Sequence, residues 1–578
     1  MTTVNFSSFT LPHLFGGLAP SAGLAEITTN IERNLAEVAV LDGSAQSFMA
    51  DAAALKTLLE GGAPLGTILA QQEKGTQSLV FISPDEQEKV RAVVQAAMAS
   101  WFRARQPLGY AAGRTFSAAE VGGRTAVQNL DMLVSIPSVS DSQTMPNRQV
   151  GDVMEAIHSL LTGVGFQVEI LRGEGNPLVY AQRIVDPANP TVLIYAHADV
   201  QPVKEREWEH DPYKVYYKNG RLYGRGTADN KSGTVSAMAA VEAFDRAGVE
   251  LPVNVVVIVE GEEEVLSPNL GGHLLQIQER LQSRGLAPGA LVVTDGVNVD
   301  THIPTIAVSA RGVANFKVRV QTAEGGVHPG LNPQVPSAFQ AWSVLENDVL
   351  RDEGVDLVVE ELRGLVPPIP NELITSWRES GLDNRTVESI LRVSGRMLDG
   401  VRLAVSGSHL LAEVGRQFSA TTMDLRQIVE DGQMPGVIPH AVEGTLQLRI
   451  PPGVDADQAA EIFIQLLNHA RPLGAHVAAE RVGPVVSPWE GPLDHPALQI
   501  MGAALAAGYG RPSVLLPIGG SNGFLHPFSR MFPQTPLLMI GLADPTANIH
   551  GPNESLDVGD LLAQTHAIIA FLSMMGET

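Results

Sequence analysis

The stretch Thr191-Val-Leu-Ile-Tyr-Ala-His197-Ala-Asp199-Val constrains the fold of this 578-residue chain more than any other. A short unbroken apolar run predicts a strand buried on both faces, which in turn predicts a parallel sheet covered by helices. The run ends in a histidine and an aspartate two residues apart, so both project from the same side of an extended chain. In open α/β sheets, ligands sit outside the carboxyl ends of such strands.

The pattern recurs. Val253–Val259 is a second apolar run and ends in Glu260-Gly-Glu262-Glu263-Glu264. Ala290–Thr294 ends in Asp295, and the loop after Pro536–Ile540 carries Asp544 and His550. Between the first two runs lies a glycine-punctuated loop, Gly224–Gly233, with Asp229 at its centre. Several strands therefore bring carboxylates and imidazoles to one sheet edge. Desolvating that many acids without a counter-ion costs several kcal/mol per charge. A bound cation is the simplest remedy.

Cysteine is absent, so a metal must be held by histidine and carboxylate. That donor set suits zinc, manganese or cobalt. Two ions roughly 3.5–4 Å apart can polarise a carbonyl and supply a nucleophile from water near neutral pH. Taken singly, each residue has a plainer reading. Asp229 could cap the helix starting near Lys231, Glu262–Glu264 could be a solvated acidic turn, and His550 alone says nothing.

The remaining bulk properties exclude other classes. A net charge of −24 argues against a nucleic-acid partner, which needs a basic face. With 44% hydrophobic and 18% charged residues the chain has a globular composition. No uninterrupted apolar run approaches about 18 residues and no basic leader precedes an apolar core, so the expectation is a cytoplasmic protein that does not cross a membrane.

The chain's length implies more than one domain. Helical periodicity at Ser21–Val40, Ser44–Leu59 and Ser83–Arg105 predicts an N-terminal helical extension over residues 1–118, for which packing or oligomerisation is the plainer role and a substrate gate the sharper one. Residues 119–307 alternate helix and strand, with helices expected at Ala126–Leu133 and Val150–Val164. In Asn315–Gln321 and Thr445–Ile450 the apolar period changes to two, predicting half-buried antiparallel strands with helices at Ser337–Leu350 and Asn384–Leu398. We assign 308–484 to an inserted domain and 485–578 to the return of the α/β pattern, with a helix over His495–Ala507.

At these residues the chain resembles the dinuclear zinc metallopeptidases that include carnosinase, bacterial dipeptidases, glutamate carboxypeptidase, acetylornithine deacetylase and aminoacylase. Six motifs occur in the family's order: Ala196–Pro202, Gly224–Lys231, Glu260–Glu264, Thr294-Asp295-Gly, Gly519-Gly-Ser521 and His550–Glu554. The resemblance implies a zinc-exopeptidase-like α/β catalytic domain carrying an inserted α+β (ferredoxin-like) lid and dimerisation domain. His197, Asp229 and Asp295 would hold one zinc, and Asp229, Glu264 and His550 the other. Asp199 would orient His197, and Glu263 would be the general base. The Asp229–Asn230 bond corresponds to the family's non-proline cis peptide.

In the inserted domain His328 is similar to the family's oxyanion-steadying histidine, often supplied by a partner subunit, which implies a homodimer or higher homo-oligomer. Arg449 is similar to the arginine that grips a substrate carboxylate, with Gly520 and Ser521 beside it as substrate-binding candidates. An aspartate at 295 resembles the dipeptidase branch, so the expected activity is hydrolysis of dipeptides or short peptides. The alternatives are an N-acyl-amino-acid amidohydrolase and a non-catalytic binding protein of the same fold. Val265-Leu266 and Pro329 depart from the family pattern, as does the N-terminal extension.

Overall fold

A computed structural model describes residues 110–578 except 142–144, 333, 350, 353–355, 358–361, 363, 381, 383, 396, 398–414 and 429–435. The helices expected at Ser21–Val40, Ser44–Leu59 and Ser83–Arg105 lie outside the described residues. Among the described residues two compact units are present: 110–306 with 494–514 and 531–578, and 307–493 with 515–530.

The first unit is built on a mixed sheet in the order Gln167–Leu171, Leu178–Arg183, Asn254–Glu260, Thr191–His197, Pro288–Val297, Leu537–Ala543. The last four strands run parallel to one another. Thr191–His197, Asn254–Glu260 and Leu537–Ala543 are buried along their whole length, as continuous apolar runs require. Truncating Ile194, one of the core residues, to alanine would cost about 2–5 kcal/mol.

The sheet is mostly parallel, as expected, and its antiparallel pairs lie at one edge. Gln167–Leu171 and Leu178–Arg183 pair antiparallel, and Leu178–Arg183 runs antiparallel to Asn254–Glu260. The six residues 172–177 are too few for a crossover, so only a hairpin is possible. Close approach governs one inner contact: a Cβ at Gly541 would stand 1.6 Å from the Gly296 carbonyl oxygen.

Helices Arg148–Gly163, Lys231–Ala247, Leu270–Ser283, Pro496–Tyr509 and Val558–Met575 complete this unit. The helix expected at Ala126–Leu133 starts much earlier and spans Tyr110–Val134, crossing residue 118. Gly122 and Gly123 suggest a break, but tertiary packing overrides that weak local preference. Phe116 is buried and stacks on His566, ring centroids 4.5 Å apart.

One element bears on the membrane expectation without overturning it. Among the described residues Val558–Met575 is long and apolar enough to cross a bilayer, but most of it is buried inside the unit. Asp560, Gln564, Thr565 and His566 interrupt its apolar run without making the helix polar on average. These four are buried, and Gln564 donates to Ser236 Oγ at 3.2 Å.

The second unit contains a four-stranded antiparallel sheet in the order Ser419–Gln427, Ala441–Ile450, Gly312–Gln321, His476–Val486. With Ala338–Val344 and Ala456–His469 after the first and third strands in the chain, this is the β-α-β-β-α-β pattern. Period-two alternation positions the core: Phe316, Val318, Val320, Leu446 and Leu448 are buried, and Phe316 packs against Phe463 at 5.2 Å. The helix expected over Ser337–Leu350 keeps α geometry only to Val344 and widens into a π turn at Leu345–Val349. The helix expected over Asn384–Leu398 runs from Asn384 to Ser394.

Candidate metal centre

Each donor arrives on its own element of the first unit. His197 closes one buried strand and Asp295 lies near the end of its neighbour. Glu263 and Glu264 form a short 3-10 turn after Asn254–Glu260. Asp229 precedes the helix Lys231–Ala247, and its peptide bond to Asn230 is cis. A Cβ at Gly233 would lie 2.3 Å from both Asn230 Oδ1 and Thr294 Oγ1, so glycine lets this helix close on the Asp295 strand. His550 sits in a loop at φ 61°, flanked by left-handed Asn548 and Asn553. Asparagine tolerates that backbone better than most residues.

Asp229 lies between the two histidines, with Oδ1 3.0 Å from His197 Nε2 and Oδ2 3.0 Å from His550 Nε2. His197 Nε2 is also 3.4 Å from Asp295 Oδ1, and His550 Nε2 is 3.0 Å from Glu264 Oε2. Donor atoms of His197, Glu263 and Asp295 lie within 4.8 Å of one another, as do those of Asp229, Glu264 and His550. The two clusters meet at Asp229. The centre opens toward solvent at His550, whose side chain is 55% exposed, while His197 is fully buried.

His197 Nδ1 lies 3.1 Å from the Asp199 carbonyl oxygen and 3.5 Å from its carboxylate. A proton on Nδ1 is therefore accepted there, leaving the Nε2 lone pair facing two carboxylates. That arrangement is repulsive unless a second proton or a metal cation lies between them. The Asp199 carboxylate does more than orient the ring. It accepts from the backbone N–H of Glu263 at 3.2 Å and of Glu264 at 3.0 Å, and from Ser140 Oγ at 2.7 Å.

Charge crowding marks the same atoms. Burial, followed by the charge of Asp295, pushes the Glu263 carboxyl well above its ordinary range. Burial and Asp229 push Glu264 up to about 7, and burial also raises Asp295. Burial works against the Asp229 carboxylate, yet hydrogen bonds from His197 and His550 hold it below its ordinary value. Hydrogen bonds to Asp229 and Glu264 lift His550 to about 10. Burial opposes protonation of His197, but Asp295, Asp199 and Asp229 together hold it well above its ordinary value. These oxygen and imidazole donors, with more negative charge than they can hold bare, fit divalent cations.

Several supporting residues had no role assigned from sequence. Buried Glu554 binds Arg225 at 2.6 Å and accepts from the N–H groups of Gly226, Ala228 and Asp229, tying the His550 loop to the Asp229 loop. Gln201 donates to Glu264 Oε2 at 2.8 Å. Lys231 donates to the Leu133 and Ile136 carbonyls, both at 2.8 Å. Their positions inside the matched motifs were the available signal, but only contacts over more than 60 residues reveal what they hold.

The remaining candidates belong to the second unit. His328 is exposed in a turn and accepts from Gly330 N at 3.0 Å through Nδ1. Arg449 donates to Ser521 Oγ at 2.9 Å, and the Gly520 carbonyl accepts from Arg311 N at 3.1 Å.

The fold and donor set define a metal-dependent hydrolase of the α/β exopeptidase type. The sequence pattern of Peptidase family M20/M25/M40 matches residues 193–574, and the chain belongs to that family. It is similar to the cysteinylglycine-S-conjugate dipeptidase of Corynebacterium striatum, with 29% identity over 67% of this chain and 82% of that one. The human Beta-Ala-His dipeptidase is 24% identical over 69% of this chain and 78% of its own length. Among solved structures, that of human carnosine dipeptidase 1 shares the fold, with a TM-score of 0.67 and 22% identity, covering 82% of this chain and 100% of its own.

Proposed function

We propose that this chain is a dipeptidase that holds two divalent ions, zinc in the first instance, and hydrolyses the amide bond of dipeptides or short peptides. The observation that carries the reading is Asp229, with one carboxylate oxygen on each histidine and a second acid on either side. His197, Asp229 and Asp295 would hold one ion, and Asp229, Glu264 and His550 the other. Bound ions supply Lewis acidity and make water nucleophilic near neutral pH.

The protein's own residues do the rest. Glu263 takes a proton from the attacking water and returns it to the leaving amine, a task suited to a buried carboxyl that holds a proton readily. Asp199 fixes both the His197 ring and the Glu263-Glu264 backbone. In the second unit Arg449, with Gly520 and Ser521, takes the substrate's free carboxylate, for which a guanidinium fork is well matched. His328 steadies the oxyanion. The similarity to a cysteinylglycine-S-conjugate dipeptidase and a Beta-Ala-His dipeptidase supports this substrate class.

By the same reading, residues 119–307 and 485–578 form the catalytic domain, 308–484 the lid and dimerisation domain, and 1–118 a helical extension. The working state is a cytoplasmic homodimer or higher homo-oligomer. Purified protein should release both amino acids from a panel of dipeptides and stop doing so after dialysis against a chelator. Faster turnover of N-acetyl amino acids than of any dipeptide would move the assignment to a deacylase.

A further inference from the structure

Buried or half-buried arginines in this protein usually face an acid: Arg221 faces Asp544, Arg225 faces Glu554 and Arg416 faces Glu490. Arg311 and Arg449, both half-buried, have no carboxylate partner among the described residues. Burial, reinforced by the charge of Arg449, lowers Arg311 to about 10, and burial lowers Arg449 too. Two neighbouring guanidiniums without a counter-ion constitute a site that an anion would complete.

The two arginines are used differently. Among the described residues Arg449 makes one hydrogen bond, to Ser521 Oγ, which leaves its other donors available. Arg311 is engaged on several sides. Nε donates to the Gly519 carbonyl at 3.0 Å, while Nη1 donates to Ser419 Oγ at 2.9 Å and to the Gln417 carbonyl at 3.4 Å. Its backbone N–H donates to the Gly520 carbonyl at 3.1 Å, and its own carbonyl accepts from Ser521 Oγ. Gly519 admits this close approach, since a Cβ there would lie 3.1 Å from Arg311 Nη2. In the sheet Ser419 stands directly opposite Arg449. Hydrogen bonds link Arg311 to Ser419, and Arg449 through Ser521 back to Arg311, and strand register sets Ser419 opposite Arg449.

We infer that Arg311 is the positioning residue for the carboxylate-binding arginine: it fixes the Gly519–Ser521 loop and Ser419, and these set where the Arg449 fork points. This rests on the proposed role of Arg449 in gripping the free carboxylate of a dipeptide. Lysine cannot replace Arg311, because one ammonium cannot reach Gly519, Ser419 and Gln417 in the planar spread that a guanidinium offers. The consequence falls on substrate binding and only where the substrate carries a free carboxylate.

The test measures kcat and KM on a neutral dipeptide and on its C-terminal amide, for the full-length metal-loaded protein and for Arg311→Lys, Ser419→Ala, Arg449→Ala and the double variant Arg311→Lys/Arg449→Ala. Arg311→Lys should raise KM for the dipeptide about tenfold, the scale of one misplaced charge-assisted hydrogen bond, with kcat within about twofold and the amide unaffected. Ser419→Ala, which removes a single acceptor, should do the same to a smaller extent and covers the case in which Arg311→Lys folds poorly. The double variant should be no worse than Arg449→Ala alone, because Arg311 acts through Arg449. Equal losses on dipeptide and amide, or additive losses in the double variant, would overturn the inference for Arg311. A wild-type protein with the same KM for dipeptide and amide would instead overturn the role of Arg449 itself.

Discussion

The two compact units each concentrate charge of one sign, and they relieve it differently. In the first, the carboxylates of Glu263, Glu264 and Asp295 are pushed upward by burial and by one another, while His197 and His550 are pushed upward by the acids. Such a cluster can take up protons or a cation, so its charge state is exchangeable. In the second, Arg311 falls only to about 10 despite burial and a like-charged neighbour, so the guanidinium keeps its proton across the physiological range. On the reading proposed above, the acidic cluster loads cations and the arginine pair serves as a permanently charged anion site.

Emptying the first region should have the largest effect. Dialysis against a chelator should take hydrolysis to background, and zinc should restore it. Asp229→Asn, which weakens the one carboxylate shared by both histidines, should lower the metal content of the protein as isolated, measured by atomic emission. Unchanged metal content would separate Asp229 from the centre.

Next is a change that leaves the donors alone. Glu263→Ala should lower kcat by about 10²–10⁴-fold, the usual worth of a general acid–base group, with metal content nearly intact. Retained turnover would move the base elsewhere. The second region predicts a smaller and different loss: Arg449→Ala should raise KM for a dipeptide by about 10–100-fold, or ~1.4–2.8 kcal/mol, and change kcat less. Equal loss in both constants on every substrate would mean that Arg449 serves the fold and not the anion.

The two regions were also unequally legible in the sequence. Glu263, Glu264 and Asp295 stood out because they lie at or just beyond the ends of buried strands, and a sheet of parallel strands must gather such ends on one edge. Pairing of particular donors could not be read that way, and came from the family resemblance. Asp199 shows the limit. Its place beside His197 suggested the ring, but its bonds to the N–H groups of Glu263 and Glu264 depend on a turn more than 60 residues away. Arg311 was invisible for the same reason, since its partners lie about 106 to 208 residues further along the chain. The extended helix Tyr110–Val134 was hidden by its glycines, whose cost tertiary contacts override.

A third cluster of the first unit gives the smallest effect and the sharpest contrast with the metal donors. His302, at φ 62°, donates its backbone N–H to the Asp560 carboxylate at 3.2 Å, and its Nδ1 lies 2.7 Å from Asp560 Oδ1 and 3.8 Å from Asp557 Oδ1. Both acids lie at the N-terminus of Val558–Met575, where Asp557 caps the helix. Burial opposes protonation of His302, but the bond to Asp560 and the charges of Asp560, Asp557 and Asp544 outweigh it and lift the imidazole from 6.5 to about 9. A histidine whose folded value lies above its unfolded one takes up a proton on folding. The stability it adds is therefore complete below about 6.5 and drains away as pH rises through about 9. His302→Gln keeps a donor for Asp560 but not the charge. The melting temperature of the wild-type protein should exceed that of His302→Gln near pH 6.5, and the gap should close by about pH 10. A gap that stays constant over that range would mean that His302 holds this turn as a neutral hydrogen-bond donor, leaving charge relief by protonation a property of the metal donors alone.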